Sequence, residues 1–231
     1  MSDFDAVLFD VDGTICEYNR PGSEILPVAF AEVGVEPFFT TAEYLDAYPE
    51  FVSEGKGVRS IREAVFRNFA AERGHDPSVG REVARIYARE RDHANVSFLP
   101  GAADLLPTVT ESHATGIVTN GSPGMQREKL RSLEVEELFE PIVFAGYDTA
   151  PKPDPEPFER ALSALETSSE RTLYVGNSLD SDVRGARRAG LPVAWLSNGV
   201  SDPDPEPDYT LDTLADQVPD VDDTDDVVEV T

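Results

Sequence analysis

Five apolar runs constrain this chain more than any other feature: FDAVLFD over 4–10, ATGIVTN over 114–120, PIVFAG over 141–146, RTLYVG over 171–176 and LPVAWL over 191–196. Each is too short for a helix and apolar with little alternation, the pattern of a strand covered on both faces. Between them the pattern becomes helical. Ser122 and Pro123 open a helix over 122–133, and Asp154 with Pro155 open one over 154–165. Val183, Ala186, Arg187 and Ala189 form a short helix that stops at Gly190, a left-handed cap. Strands alternating with helices build a parallel sheet with helices on both faces, so the predicted fold class is α/β, doubly wound.

One segment departs from that rhythm. Residues 18–95 hold no convincing strand but four helical patterns, near 24–33, 41–53, 58–73 and 77–93. Thr40 and Glu43 make a capping box, Asp76 and Pro77 open the last helix, and Val58, Ile61, Val65, Phe66 and Phe69 form a stripe at helical spacing. The stripe is packing. The expected organisation is an α/β core from 1–17 and 96–217, an inserted helical cap over 18–95, and an acidic, flexible tail over 218–231. DYTLDTLADQV, just before the tail, supplies a last short strand and a helical turn.

With 45 acidic residues against 19 basic ones, the net charge is −26, and lysine is scarce at three of the nineteen. Such a balance argues against nucleic acid and against an anionic membrane surface. Because the acid is spread over the whole chain, the expectation is a halophile's cytoplasm, where salt screens self-repulsion, and not an acidic docking patch. The single cysteine, Cys16, cannot form an internal disulfide and fits a reducing cytoplasm. No run approaches the roughly 20 apolar residues of a membrane span. His75, His93 and His113 lack metal-ligand spacing and are read as structural. A monomer or homodimer is expected.

Ligands of an open parallel sheet gather at the carboxyl ends of its strands, and four of those ends are chemically loaded. The first strand ends in DVDGT, with Asp10 and Asp12; the second in VTNG, with Thr119, Asn120 and Gly121. APKPDP, with Lys152, follows the third, and VGNSLDSD, with Asn177, Ser178, Asp180 and Asp182, ends the fourth. Two carboxylates at i and i+2 share one face of a strand, and a turn at Gly13 keeps both at the strand's end, so both can address one pocket. A carboxylate can attack phosphorus to give an aspartyl-phosphate. That attack brings charge onto charge, which an oxygen-bound Mg²⁺, the Lys152 ammonium, the Thr119 hydroxyl and backbone N–H groups would offset. A second acid must protonate the leaving oxygen and then activate water, which suits Asp12.

These stretches in this order, with LPGAADLL, KPDPEPFERAL and GARRAGLPVAW between and after them, resemble the haloacid-dehalogenase-like (HAD) superfamily over most of residues 4–200. The resemblance implies a Rossmann-like core with a cap, Asp10 as nucleophile, and Asp12 as general acid/base whose carbonyl also binds Mg²⁺. It further implies phosphate contacts from Thr119, Asn120, Gly121 and Lys152, and metal contacts from Asp10, Asp12, Asn177 and Asp182; Asp180 reads as a helix-capping or solvated carboxylate ahead of an auxiliary ligand. The family's fourth motif usually begins Gly-Asp, whereas this chain has Gly176–Asn177, so weaker Mg²⁺ binding is expected. Asp12 favours phosphate chemistry over dehalogenation, because dehalogenases of this superfamily generally lack the second aspartate. The expected activity is hydrolysis of a small phosphorylated metabolite: a sugar phosphate, a nucleotide or a phosphoglycolate-like ester. A phosphomutase, a 2-haloacid dehalogenase and a non-catalytic phosphate-binding protein are the alternatives. SEGKGVRSIREAV sets Lys56, Arg59 and Arg62 close to two flexible glycines, where a cation is either a substrate contact to a sugar or second phosphate or a solvated helix start, and the stretch has a short similarity to the cap of β-phosphoglucomutases. VTNGSPGMQREKL is similar to the second-motif region of relatives acting on nucleotide or acyl-sugar phosphates.

Overall fold

A computed structural model describes residues 4–51, 57–197 and 199–216, and the chain divides into two compact units. The first unit comprises Met1–Glu17 and Ser97–Thr231; the second comprises Tyr18–Val96. The acidic stretch expected over 218–231, and Lys56, lie outside the described residues.

A six-stranded sheet forms the first unit. In chain order its strands are β1 (Ala6–Phe9), β4 (Ala114–Thr119), β5 (Ile142–Phe144), β6 (Thr172–Gly176), β7 (Val193–Leu196) and β8 (Tyr209–Leu211). They lie side by side as β5-β4-β1-β6-β7-β8, and every pair is parallel. Two shorter strands, β2 (Cys16–Tyr18) and β3 (Val96–Phe98), sit where the chain leaves and re-enters this unit, each continuing a boundary the helical pattern left open.

All four residues of β1 are buried, as a central strand requires. Leu8 faces a cluster with Val118, Val143, Phe158, Leu162, Tyr174, Val183 and Trp195, built on helices α7 (Glu156–Leu165) and α8 (Arg184–Arg188). Alternate residues point to the other face, where Phe9 meets Phe139 edge-on at 6.1 Å. Helices α5 (Ala102–Ser112) and α6 (Pro123–Ser132) also belong to this unit. Ser122 occupies the N-cap of α6 but makes no side-chain cap bond. The helix α5, with Pro107 inside it, has no counterpart in the sequence reading.

β1 sits at the turning point of the strand order, with β4 and β5 on one side and β6, β7 and β8 on the other. Its register puts Phe9 beside Ile117 of β4 and Val175 of β6, so these three strands run out together. This is the crevice where doubly wound folds hold ligands.

The second unit is helical: α1 (Gly22–Val33), α2 (Thr41–Phe51), α3 (Val58–Glu72) and α4 (Pro77–Glu90). Phe30, Phe39, Tyr44, Phe66 and Phe69 form its centre, with Phe39 4.6 Å from Phe66 and 4.8 Å from Phe69. The Thr40–Glu43 capping box closes in both directions: the Thr40 N–H donates to Glu43 Oε2 at 2.7 Å, and the Glu43 N–H to Thr40 Oγ1 at 3.2 Å. Asp76 caps α4 by accepting from the Ser78 N–H at 2.8 Å. No described helix is long and apolar enough to cross a membrane.

Candidate active site

The carboxyl ends of β1, β4 and β6 deliver most of the expected residues to one place. Asp10 leaves β1 while its own N–H still pairs with the Val175 carbonyl at 2.9 Å, which fixes its Cα. Its side chain is buried, and the described bonds engage only one carboxylate oxygen: Oδ1 accepts from Lys152 Nζ at 2.9 Å. The chain then turns at Gly13, whose φ of +75° favours glycine. A Cβ there would also stand 2.5 Å from Asn177 Nδ2.

Lys152 reaches in from the loop between β5 and α7. Its ammonium lies 2.9 Å from Asp10 Oδ1, 2.6 Å from Asp182 Oδ1, 2.9 Å from Tyr174 Oη and 2.9 Å from the Val118 carbonyl. Three N–H groups are thus shared among four acceptors, so the ammonium is locked. Asn120 grips the same residue by its backbone, accepting from the Lys152 N–H at 2.8 Å and donating to its carbonyl at 3.1 Å. The Asn120 side chain is spent on the loop, which leaves main-chain groups of the Asn120–Gly121 turn for any ligand.

Asp182 carries more bonds than its spacing implied. Oδ1 accepts from Lys152, from the Tyr174 hydroxyl at 3.1 Å and from Ser181 Oγ at 3.5 Å; Oδ2 accepts from the N–H groups of Asn177 at 3.1 Å and Ser178 at 2.9 Å. A π-helical turn over Leu179–Val183 rolls Asp182 inward and Asp180 outward. Asp180 is 91% exposed and pairs with Arg184 at 3.2 Å. Asn177 accepts from Thr14 Oγ1 at 3.3 Å on its amide oxygen, and its carbonyl accepts from Trp195 Nε1 at 2.9 Å.

Charge explains the protonation states. Burial pushes the Asp10 carboxyl up to about 6; Lys152 pulls it back, and Asp182 adds to the rise. Burial also opposes the charge on Lys152, but Asp10 and Asp182 outweigh it and hold the ammonium above its usual range. One cation therefore faces two buried carboxylates. Burial, reinforced by Asp182, raises the Tyr174 phenol, which stays neutral. Cys16 is pushed up to about 12, chiefly by burial, and is no nucleophile.

Three residues at the site had no counterpart in the sequence reading. Lys129 Nζ pairs with Asp12 Oδ1, and Gln126 Nε2 donates both to Asp12 Oδ2 at 2.8 Å and to Thr119 Oγ1 at 2.9 Å. Tyr174 braces Lys152 and Asp182. The available signal was lysine scarcity: Lys129 is one of three, three residues after Gln126 on the helix following VTNG. In the helical unit, Arg59 is exposed at the start of α3, while Arg62 is buried, with its Nε 3.4 Å from the Tyr44 hydroxyl.

A divalent cation would need hard oxygen donors here. The Asp10 carboxylate, the Asp12 carbonyl and the Asn177 amide oxygen have that chemistry, and they suit Mg²⁺ better than a softer metal. Asp182, its oxygens already spoken for, suits the role of orienting Lys152 and the Asn177–Ser178 backbone. No group of three or more His, Cys, Asp or Glu side chains that could hold a metal is found among the described residues, so an ion here would combine the Asp10 carboxylate with the Asn177 amide and the main chain.

Residues 7–196 match the family model described as haloacid dehalogenase-like hydrolase. A phosphoserine phosphatase of Thermus thermophilus is 35% identical over 156 residues, which cover 67% of this chain and 62% of that protein. A glyceraldehyde 3-phosphate phosphatase of Methanopyrus kandleri is 29% identical over 90% of this chain and 92% of its own length. The matched segment spans only 42% of a second such phosphatase, from Pyrococcus furiosus. Among solved structures, the HAD-hydrolase YfnB of Bacillus subtilis, determined bound to magnesium, superposes with a TM-score of 0.73 at 25% identity, covering 91% of this chain and 95% of that one. The chain belongs to the haloacid dehalogenase-like hydrolase family.

Proposed function

We propose that this protein hydrolyses a small organic phosphomonoester through an aspartyl-phosphate on Asp10. One observation carries the reading: a buried carboxylate with a free oxygen at the end of the central strand, its other oxygen 2.9 Å from a locked ammonium. A carboxylate that served only packing would have both oxygens satisfied.

In the first step the free Asp10 oxygen attacks phosphorus, the bond from phosphorus to the ester oxygen breaks, and Asp12 gives its proton to that oxygen. In the second step Asp12 takes a proton from water, the water oxygen attacks the acyl-phosphate, and the Asp10 carboxylate leaves. Lys152, the Thr119 hydroxyl and the Asn120 N–H hold the transferring group's oxygens at the Asn120–Gly121 turn. Mg²⁺ on Asp10, the Asp12 carbonyl and Asn177 would supply charge neutralisation when bound. Retention of Asp12, with its carboxylate held by two donors, favours phosphate transfer over dehalogenation.

The related phosphatases point to an alkyl ester of a small carboxylate or aldehyde. The test is turnover of phosphoserine, glyceraldehyde 3-phosphate, phosphoglycolate, a nucleoside monophosphate and p-nitrophenyl phosphate in molar KCl, with Mg²⁺ or with chelator. Mg²⁺-dependent phosphate release, lost in Asp10→Asn, supports the proposal. Phosphate binding without turnover of any ester, or halide release from 2-haloacids, would overturn it.

A further inference from the structure

The geometry points to Gln126 and Lys129 as a positioning pair for phosphoryl transfer: Lys129 sets the acid/base carboxylate of Asp12, and Gln126 forces the Thr119 hydroxyl to donate. This rests on the hydrolase reading above.

Gln126 and Lys129 stand three residues apart on α6 and so share one face of the helix. Both are essentially buried, at 1% and 0% exposure. Lysine is almost never fully buried unless paired, and desolvating an ammonium is unfavourable where a leucine would fill the space. This chain has three lysines, and the two described ones are both buried on carboxylates of the DVD stretch: Lys152 on Asp10 and Lys129 on Asp12. The Asp12 side chain is 43% exposed. It is therefore held from beneath by a buried cation while its face stays open.

The amide of Gln126 has one chemically sensible orientation. A carboxylate only accepts, so the side facing Asp12 Oδ2 must be the NH₂ group. Its second hydrogen then goes to Thr119 Oγ1, which also accepts from the Gly121 N–H at 3.4 Å. With its oxygen taken, the Thr119 hydroxyl has its own hydrogen left to donate, as a phosphate oxygen requires. The orientation leaves Gln126 Oε1 buried without a hydrogen-bond partner. Packing alone gives no reason to retain such a group, whereas a functional constraint does. Gly121 is part of the arrangement, since a Cβ there would lie 2.1 Å from Gln126 Nε2.

The test separates positioning from mere bracing by leaving group. Nitrophenolate departs without a proton, whereas an alkoxide needs one. The full chain with Mg²⁺ is assayed on p-nitrophenyl phosphate and on whichever alkyl ester above it turns over fastest. Lys129→Met should lower kcat/KM on the alkyl ester by about 10²-fold or more, and on p-nitrophenyl phosphate by less than about tenfold. On the aryl ester it should also produce a burst of nitrophenol, because the water-activating step becomes limiting. Gln126→Met should raise the inhibition constant of inorganic phosphate by about tenfold, the loss of one oriented donor to an anion. This second variant gives an independent readout if Lys129→Met does not fold. Equal losses on both esters, or unchanged phosphate inhibition, overturn the proposal while the hydrolase stands. A wild-type protein that turns over neither ester removes the hydrolase reading, and the proposal falls with it.

Discussion

Replacing Asp10 by Asn should make the metal-free protein more stable at pH 8. Asp10 is 7% exposed and shares a single ammonium with Asp182, so its ionised form is poorly compensated in the fold. Its carboxyl rises from 3.8 to about 6, mainly through burial. At about 1.4 kcal/mol per pH unit, holding it ionised costs up to about 3 kcal/mol. The coupling to Lys152 and Asp182 makes that an upper figure. An Asn keeps the bond from Lys152 but puts an N–H where the free oxygen was, which takes back about 1 kcal/mol. The net gain is about 1–3 kcal/mol, or about 2–10 °C in Tm for a chain of this size. The sign follows from proton linkage. Between pH about 4 and 6 the folded carboxyl binds a proton that the unfolded one has released, so this group favours folding as pH falls through that window. Asn is neutral at every pH. The advantage of the variant should therefore be full above pH 7, shrink near pH 5 and vanish as pH approaches 4. Thermal melts of both proteins at pH 5, 6 and 8, with chelator and about 1 M KCl, check this. An Asn variant less stable than wild type at pH 8, or an advantage independent of pH, would refute the reasoning.

Lys152→Met leaves Asp10 and Asp182 buried without their cation and should cost about 3–5 kcal/mol at pH 8, less at pH 5 where a proton replaces it; urea denaturation at both pH values measures it. Asn177→Asp adds a charge to the proposed ion site and should lower the Mg²⁺ midpoint for activation by about tenfold, so an unchanged midpoint excludes Asn177 as a contact. Gly121→Ala drives a Cβ into the Gln126 amide and should cost about 1–3 kcal/mol and weaken phosphate inhibition, read by melting and by competition. At a net charge of −26 the fold should lose stability as KCl is lowered from about 1 M to about 0.05 M, where screening fades; equal Tm at both would rule out adaptation to salt.

The sequence by itself determined the parallel sheet, the helical insertion and the strand ends that carry chemistry. These follow from local rules: apolar runs of strand length, capping residues, and polar residues where a buried strand meets solvent. Because parallel strands all end on one side, Asp10, Thr119 and the 176–182 motif share one edge of the sheet, and the strand order β4-β1-β6 makes them neighbours. Tertiary structure alone decided which partner each received. Asp12 and Lys129 are 117 residues apart, and only the rotation of α6 against the sheet turns its Gln126–Lys129 face toward β1. Likewise Asp180 and Asp182 are carboxylates two residues apart in one motif, and the π-helical turn makes the first a solvent-exposed ion pair and the second the anchor of Lys152. A buried charge is tolerated only where partners from distant strands and loops meet it, and that meeting is a property of the assembled fold.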